Sequence, residues 1–281
     1  MIDLGPNRYG KRAIRVVKVV RGPEGHRVRD LTVDVALEGD FATAFTPGDN
    51  AQVVATDTMK NTVYALAADQ LSGAIEAFGA VVAEHFLGVP QVLRSTVSLR
   101  EHQWTPIPID GAPAPDAFQR AGDATRTAEV VATRDATTVA SGLADLVVMK
   151  TAGSAFSGFP RDRYTTLADA RDRIMATKVT ATWRHGDPAD DWDASHAAIS
   201  ATLLGVFAEH ASESVQHSIW IMANAMLERH AEIDEVRMSL PNLHHWPVDV
   251  APFGGTNRGE IFVATTEPHG LIEATVRRAA S

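Results

Sequence analysis

Apolar and polar positions alternate along LTVDVALEG, residues 31–39, so that Leu31, Val33, Val35 and Leu37 share one face. A period of two with one apolar face predicts a half-buried strand. An apolar run at Ala13–Val20 leads into it through Gly22, Pro23 and Gly25, which is the composition of a hairpin turn. The period then lengthens. Helical text runs from Thr58, with Thr56 or Asp57 placed as a cap, and after a break at Ser72–Gly73 it continues through Ala74–Leu87. Strands follow near Val92–Glu101 and Ala128–Thr133, joined by the loop DGAPAPDAF. The order is ββααββ.

The second half repeats that order. Strands are predicted at Thr138–Lys150 and Lys178–Arg184, then helices at Trp192–His210 and Ser214–His230. Strands near Glu235–Leu240, Glu260–Thr265 and Leu271–Val276 close the chain. Two pieces echo each other directly: GAVVAEHF with VSLREHQWTPI, and GVFAEHAS with MSLPNLHHWPV. Two copies of one unit account for this, divided near Asp135–Ala136 into residues 1–135 and 136–281. The pattern supports an α+β class with antiparallel sheets and segregated helices.

Composition narrows the chemistry. The 281 residues carry a net charge of −9 and no long Lys/Arg block, so nucleic acid is not an expected partner. There are no cysteines, which excludes thiol nucleophiles, disulfides and thiolate-bound metals. Eleven histidines are present without HExxH spacing, and adjacent His244 and His245 would point to opposite strand faces, so no metal site is expected. No dinucleotide fingerprint is present. The apolar stretch AIEAFGAVVAEHFLGV is broken by Glu76, Glu84 and His85, so no membrane span is expected. The N-terminus lacks a signal-peptide pattern, and RRAAS at the C-terminus is not a peroxisomal tripeptide.

The segment Lys150 to Arg173, KTAGSAFSGFPRDRYTTLADARDR, is the most specific in the chain. It sets Phe156 among Gly153, Ser154, Ser157 and Gly158, then predicts a helix from Thr165–Thr166 that carries Arg173. An aromatic ring in a polar loop can stack on a flat heterocycle, and a guanidinium can pair bidentately with an acidic N–C–O edge. Phe159 reads as the core residue of the two. Gln216 offers an amide donor and acceptor at the start of a helix. Asn242 and His244, two apart, project from one face of a strand.

The spacing K-T-x-x-S-x-F-x-x-F-x(4)-Y-x-x-L-x(5)-R resembles the signature of urate oxidases. The likeness extends to VATDTMKNTVY, with Thr56 and Asp57, to SVQ, with Val215 and Gln216, to SLPNLHHW, with Asn242 and His244, and to Lys11 in YGKRAIRVVKV. It covers essentially the whole chain, departing at Met149, Ala152, Ser157 and Asp116. It implies tandem tunnelling-fold (T-fold) units that assemble into a barrel-like homotetramer with active sites at subunit interfaces. It also implies a cofactor-free reaction of urate with dioxygen and water, giving 5-hydroxyisourate and hydrogen peroxide. By resemblance, Lys11, Thr56 and His244 form the proton relay. Thr56, Asp57, Phe156, Arg173, Val215, Gln216 and Asn242 then contact the substrate or dioxygen. With no peroxisomal address, the resemblance implies a bacterial, cytoplasmic protein. A pterin- or GTP-processing enzyme of the same fold is the alternative, although its anchoring carboxylate is not obvious. A purine-binding homologue without activity is a third reading.

Overall fold

The computed structural model describes residues 2–279; Ala280 and Ser281, on which the peroxisomal reading rests, lie outside the described residues. The chain forms two compact units. Unit 1 comprises residues 1–142 with 184–196, and unit 2 comprises residues 143–183 with 197–281.

In unit 1, β1 (Tyr9–Gly22) and β2 (Gly25–Gly39) form the expected hairpin, with Gly22 opposite Gly25. A short helix α1 (Ala42–Phe45) precedes α2 (Thr56–Gln70) and α3 (Ile75–Leu87). Strand β3 (Val92–Glu101) pairs antiparallel with β2 and with β6 (Thr125–Thr133). Leu31, Val33, Val35 and Leu37 are all buried, as their alternation requires, and Val97, Leu99 and Val130 continue that face across the sheet. Helix α3 covers it with Phe78, Val82 and Phe86. Gly79 lets the helix approach, because a Cβ there would sit 2.7 Å from Leu99 Cδ1 and 2.8 Å from Val130 Cγ2.

The expected loop between β3 and β6 is instead a second hairpin, β4 (Trp104–Ile109) with β5 (Ala112–Arg120). Its turn is Asp110–Gly111, both at positive φ (51° and 85°), as a two-residue hairpin turn demands. Prolines 106, 108, 113 and 115 argue against a central strand, and a two-stranded ribbon made only of edges accommodates them.

In unit 2, β7 (Thr137–Lys150), whose first residues belong to unit 1, is followed in sheet order by β8 (Met175–His185) and β9 (Ile233–Pro247). Helices α4 (Trp192–Glu209) and α5 (Val215–Arg229) lie between β8 and β9 in sequence. A single 3-10 turn, Ala251–Phe253, precedes β10 (Phe262–Thr265) and β11 (Leu271–Arg277). Both last strands pair antiparallel with β9: β11 along Glu235–Pro241 and β10 along His244–Pro247. The architecture is α+β, with antiparallel pairing in every ladder whose register is described above. No helix among the described residues is long and apolar enough to cross a membrane.

One polar network lies inside unit 1. Glu76, fully buried, accepts from Arg126 at 2.7 Å and from Ser141 Oγ at 2.7 Å. Nearby, the His196 Nε2–H donates to the Gly142 carbonyl at 3.0 Å. Burial, then the charge of Arg126, pulls the His196 pKa from 6.5 down to about 4. The unfolded chain therefore takes up a proton near pH 6.5 that the folded protein refuses until about pH 4. The stabilisation is complete above pH 6.5 and is lost as pH falls toward 4, on the order of 3 kcal/mol. Urea midpoints measured across that window should fall less steeply for His196→Gln. An unchanged slope would remove His196 as the source.

Candidate active site

No helix starts at Thr165–Thr166, contrary to the sequence expectation. Residues 151–174 form an irregular, hydrogen-bonded loop, so Arg173 is not on a helix face. Tertiary bonds override the helical propensity of TLADARDR. Phe156 and Ala170 exchange backbone bonds in both directions (2.7 and 2.9 Å), and the Arg173 N–H donates to Ser154 O at 2.8 Å. Asp172 Oδ1 accepts from the N–H of Gly153 (2.7 Å) and of Ser154 (3.3 Å). Asp169 accepts from the Gly158 N–H and from Arg161. Gly153 and Gly158 sit at positive φ (73° and 75°), which lets the loop fold back on itself.

This folding sets the Arg173 guanidinium against the face of Phe156, Cζ 5.2 Å from the ring centroid. Phe159 is not a core residue as expected. It is half-buried and stacks on Phe156 at 4.9 Å with 13° between the planes. Arg173 Nε is buried without a hydrogen-bond partner, and no carboxylate among the described residues forms an ion pair with the guanidinium. Burial lowers the Arg173 pKa. An unneutralised guanidinium beside an aromatic face is what a flat anion would complete.

Both groups line a cavity of about 900 Å3 that also receives Asn242, His244 and Trp246 from β9, and Leu167 and Ile174 from the loop. Asn242 and His244 share a strand face, with Asn242 Nδ2 3.5 Å from His244 Nδ1. They lie where β9 changes partner: Pro241 is the last residue on β11, and His244 is the first on β10. Between them the Asn242 N–H donates to Gly270 O at 2.8 Å. The His244 ring stacks on Trp246, 5.2 Å apart and 22° from parallel. Burial first, then the charges of Arg173 and His269, hold the His244 pKa below the usual histidine value.

Val215 and Gln216 open α5 behind the N-cap Ser214, whose side chain accepts from the His217 N–H at 3.1 Å. They are the first two residues of the helix, where backbone N–H groups have no partner inside it. Val215 is buried and Gln216 exposed; neither lines the cavity. The adjacent link is tied to the Phe156 loop, with Ala155 N–H to Ser212 O at 2.7 Å and Ser212 N–H to Gly153 O at 2.9 Å.

Lys11, Thr56 and Asp57 belong to unit 1. A β-bulge between Lys11 and Ile14 puts both opposite core-facing residues, Val35 and Val33, so both share the face that α2 covers. Ala13 takes φ 58°, and its N–H donates to Asp34 Oδ1 at 2.6 Å. Neither Thr56 nor Asp57 caps α2. The cap residue is Ala55, and Asp57 in the first turn pairs with Lys60 and accepts from Asn61 at 3.0 Å. Those bonds lower the Asp57 pKa, Lys60 first, with a contribution from the nearby charge of Lys11.

The uricase family model matches residues 7–131 and 139–273, well over half of the chain. The chain belongs to the uricase family. It is 44% identical to a uricase of Arthrobacter globiformis, covering 100% of this chain and 91% of that protein. It is 36% identical to a uricase of Aspergillus flavus, covering 96% of this chain and 95% of that protein. The crystal structure of the Arthrobacter globiformis uricase superposes with a TM-score of 0.94 at 43% identity, covering 100% of this chain and 96% of that one. A uricase from Bacillus fastidious superposes at 0.81 with 27% identity, covering 96% and 93%.

Within this family member, sequence reasoning passed over Trp246 and the second roles of Asp169 and Asp172. Trp246 follows His244 by two residues on one strand, a spacing that signals a shared face. Asp172 sits beside Arg173 in sequence, and its carboxylate is taken by the loop's own N–H groups. Arg173→Met should raise the His244 titration midpoint, followed by imidazole NMR, because a neighbouring positive charge is removed. A midpoint that stays in place would show that the two groups do not interact.

Proposed function

We propose that this uricase-family chain is a cofactor-free urate oxidase in purine degradation, converting urate, dioxygen and water to 5-hydroxyisourate and hydrogen peroxide. The observation that carries this reading is the half-buried, unpaired Arg173 set against Phe156 in a cavity shared with Asn242 and His244. Urate gives up two electrons to dioxygen, and the two protons lost with them complete hydrogen peroxide. Water then adds across the oxidised ring and supplies the C5 hydroxyl. Doubly deprotonated urate is electron-rich enough to reduce dioxygen, so the protein has to hold the ring, remove a proton and seat the oxidant. Arg173, Gln216 and the Val215 N–H grip the ring edge, and Phe156 stacks on its face. Lys11 takes the proton through the Thr56 hydroxyl, and His244 holds the lysine in place. Asn242 seats dioxygen or water, and Asp57 stands beside Thr56.

The two proposed groups of residues come from different units, and we assign them to neighbouring protomers of a homotetramer of tandem T-fold units, residues 1–135 and 136–281. The break between matched segments at 131 and 139 supports that division. Among the described residues strand β1 has β2 as its single ladder partner, and its open edge, beside the exposed Val17 (58%) and Val19 (41%), is one that another copy would cover. The pterin and GTP alternative has no comparable support among the relatives.

Chelator-treated, colourless protein should deplete urate absorbance in air and release peroxide. Activity that disappears on chelation and returns with one metal ion would overturn the cofactor-free reading, and binding without turnover would favour the inactive homologue.

Thr56→Ala should lower kcat by about 100-fold or more while leaving urate binding nearly intact. Arg173→Ala should lose binding. Unfolded and refolded together, the two inactive proteins should regain part of the activity. No recovery in verified mixed tetramers would place the whole site within one chain.

A further inference from the structure

Lys150 opens the signature segment, yet it lines neither the cavity nor any other proposed contact with substrate. Its side chain turns to the end of α4. Nζ donates to the carbonyls of Phe207 (3.1 Å), Ala208 (3.1 Å) and His210, and lies 5.8 Å from the Phe207 ring centroid. Two carbonyls of the last helical turn and that of His210, just beyond it, are thus gathered by one ammonium, at the end of the helix dipole that favours a cation.

The chain leaving that end is held at each further step. His210 Nδ1–H donates to Val206 O (2.7 Å), which leaves Nε2 to accept from Ser218 Oγ (2.8 Å) on α5. Ser218 Oγ also meets Ser212 Oγ at 2.7 Å, and both serines are buried. Ser212 is the residue that bonds Gly153 and Ala155 of the Phe156 loop. Two residues beyond Ser212, Ser214 caps the helix that begins with Val215 and Gln216. One continuous set of bonds therefore runs from Lys150 to the ring-stacking loop and to the start of α5.

We propose that Lys150 is a positioning residue: by gathering the carbonyls at the end of α4 it fixes residues 210–214, and through the Ser154–Ser212 bridge it sets Phe156 and Arg173 in register with Val215 and Gln216. The proposal rests on the urate reading, since those four residues are its ring-holding set. A displacement of the two halves of that set weakens grip on the planar ligand and leaves proton removal in place.

The decisive comparison is Lys150→Met against Arg134→Met. Arg134 also ties down a backbone carbonyl, Pro90 O at 2.6 Å, but in unit 1 and on no element that carries a proposed site residue. Lys150→Met should raise the urate KM and the Kd for xanthine, a purine lacking the 8-oxo group, by about tenfold, with kcat changed less than threefold. Arg134→Met should leave KM and kcat unchanged, and Lys150→Arg, which keeps a cation and several donors, should recover most of the affinity. The His210 imidazole supplies a second readout, with Lys150→Arg, which keeps the charge, as its reference. Its pKa is held low by burial first and then by the charges of Lys150 and His217, so its NMR midpoint should rise in Lys150→Met.

A folded Lys150→Met protein with unaltered xanthine Kd would overturn the proposal. So would an equal rise in KM for Arg134→Met. If Lys150→Met fails to fold, Lys150→Arg decides, because restored folding with xanthine affinity still lost would contradict rescue by the tether. Wild-type protein that binds neither urate nor xanthine would instead refute the urate reading, while the shift at His210 would still report whether the tether exists.

Discussion

Arg173 holds a positive charge half out of water with no ion-pair partner among the described residues, and the loop of unit 2 is organised around that cost. Desolvating an unpaired charge is unfavourable, and the usual remedy is a nearby acid. Three acids lie close in sequence, and all are engaged elsewhere. Asp172 accepts two backbone N–H groups, Asp169 takes Gly158 and Arg161, and Asp162 accepts from Tyr164 and Thr165. Those same bonds close the loop, so the residues that could have neutralised Arg173 are the ones that build its position. The remaining compensation comes from the Phe156 face and from whatever anion enters the cavity.

The sheets were largely legible in the sequence because their burial is one-sided. A strand with one covered face writes its orientation as a period of two, and Leu31 to Leu37 do so without interruption. The β4–β5 ribbon was not legible for a stated physical reason: its four prolines forbid a central strand but not a pair of edges, and the Asp110–Gly111 turn signal was outweighed. The expected helix before Arg173 failed in the opposite way. Local propensity there favours a helix, and bonds to residues more than ten positions away in sequence win.

The candidate site was legible where chemistry and spacing coincide. Phe156, Arg173, Asn242 and His244 line one cavity, and it was the resemblance to urate oxidases that grouped them. What spacing could not convey is the framework. Lys150 reads as a surface lysine at a strand end, since nothing local reveals that its partners are carbonyls about sixty residues away. Trp246 reads as the exit of a strand, although it stacks on His244. Thr56 and Asp57 have the composition of helix caps, yet the helix begins at Thr56 itself and leaves Ala55 in the cap position.

The bulge in β1 makes the site sensitive to length as well as to composition. A strand keeps its two faces by parity, and one residue more or less exchanges them. Lys11 and Ile14, three apart, face the same way because the chain steps out at Ala13, where Asp34 holds the displaced N–H. An aspartate on the far side of the sheet thus decides which side of it a lysine occupies. Point substitutions away from Asp34 leave that geometry in place, whereas an insertion or deletion of a single residue would invert it. Over evolutionary time the segment is therefore free to change its letters and much less free to change its count.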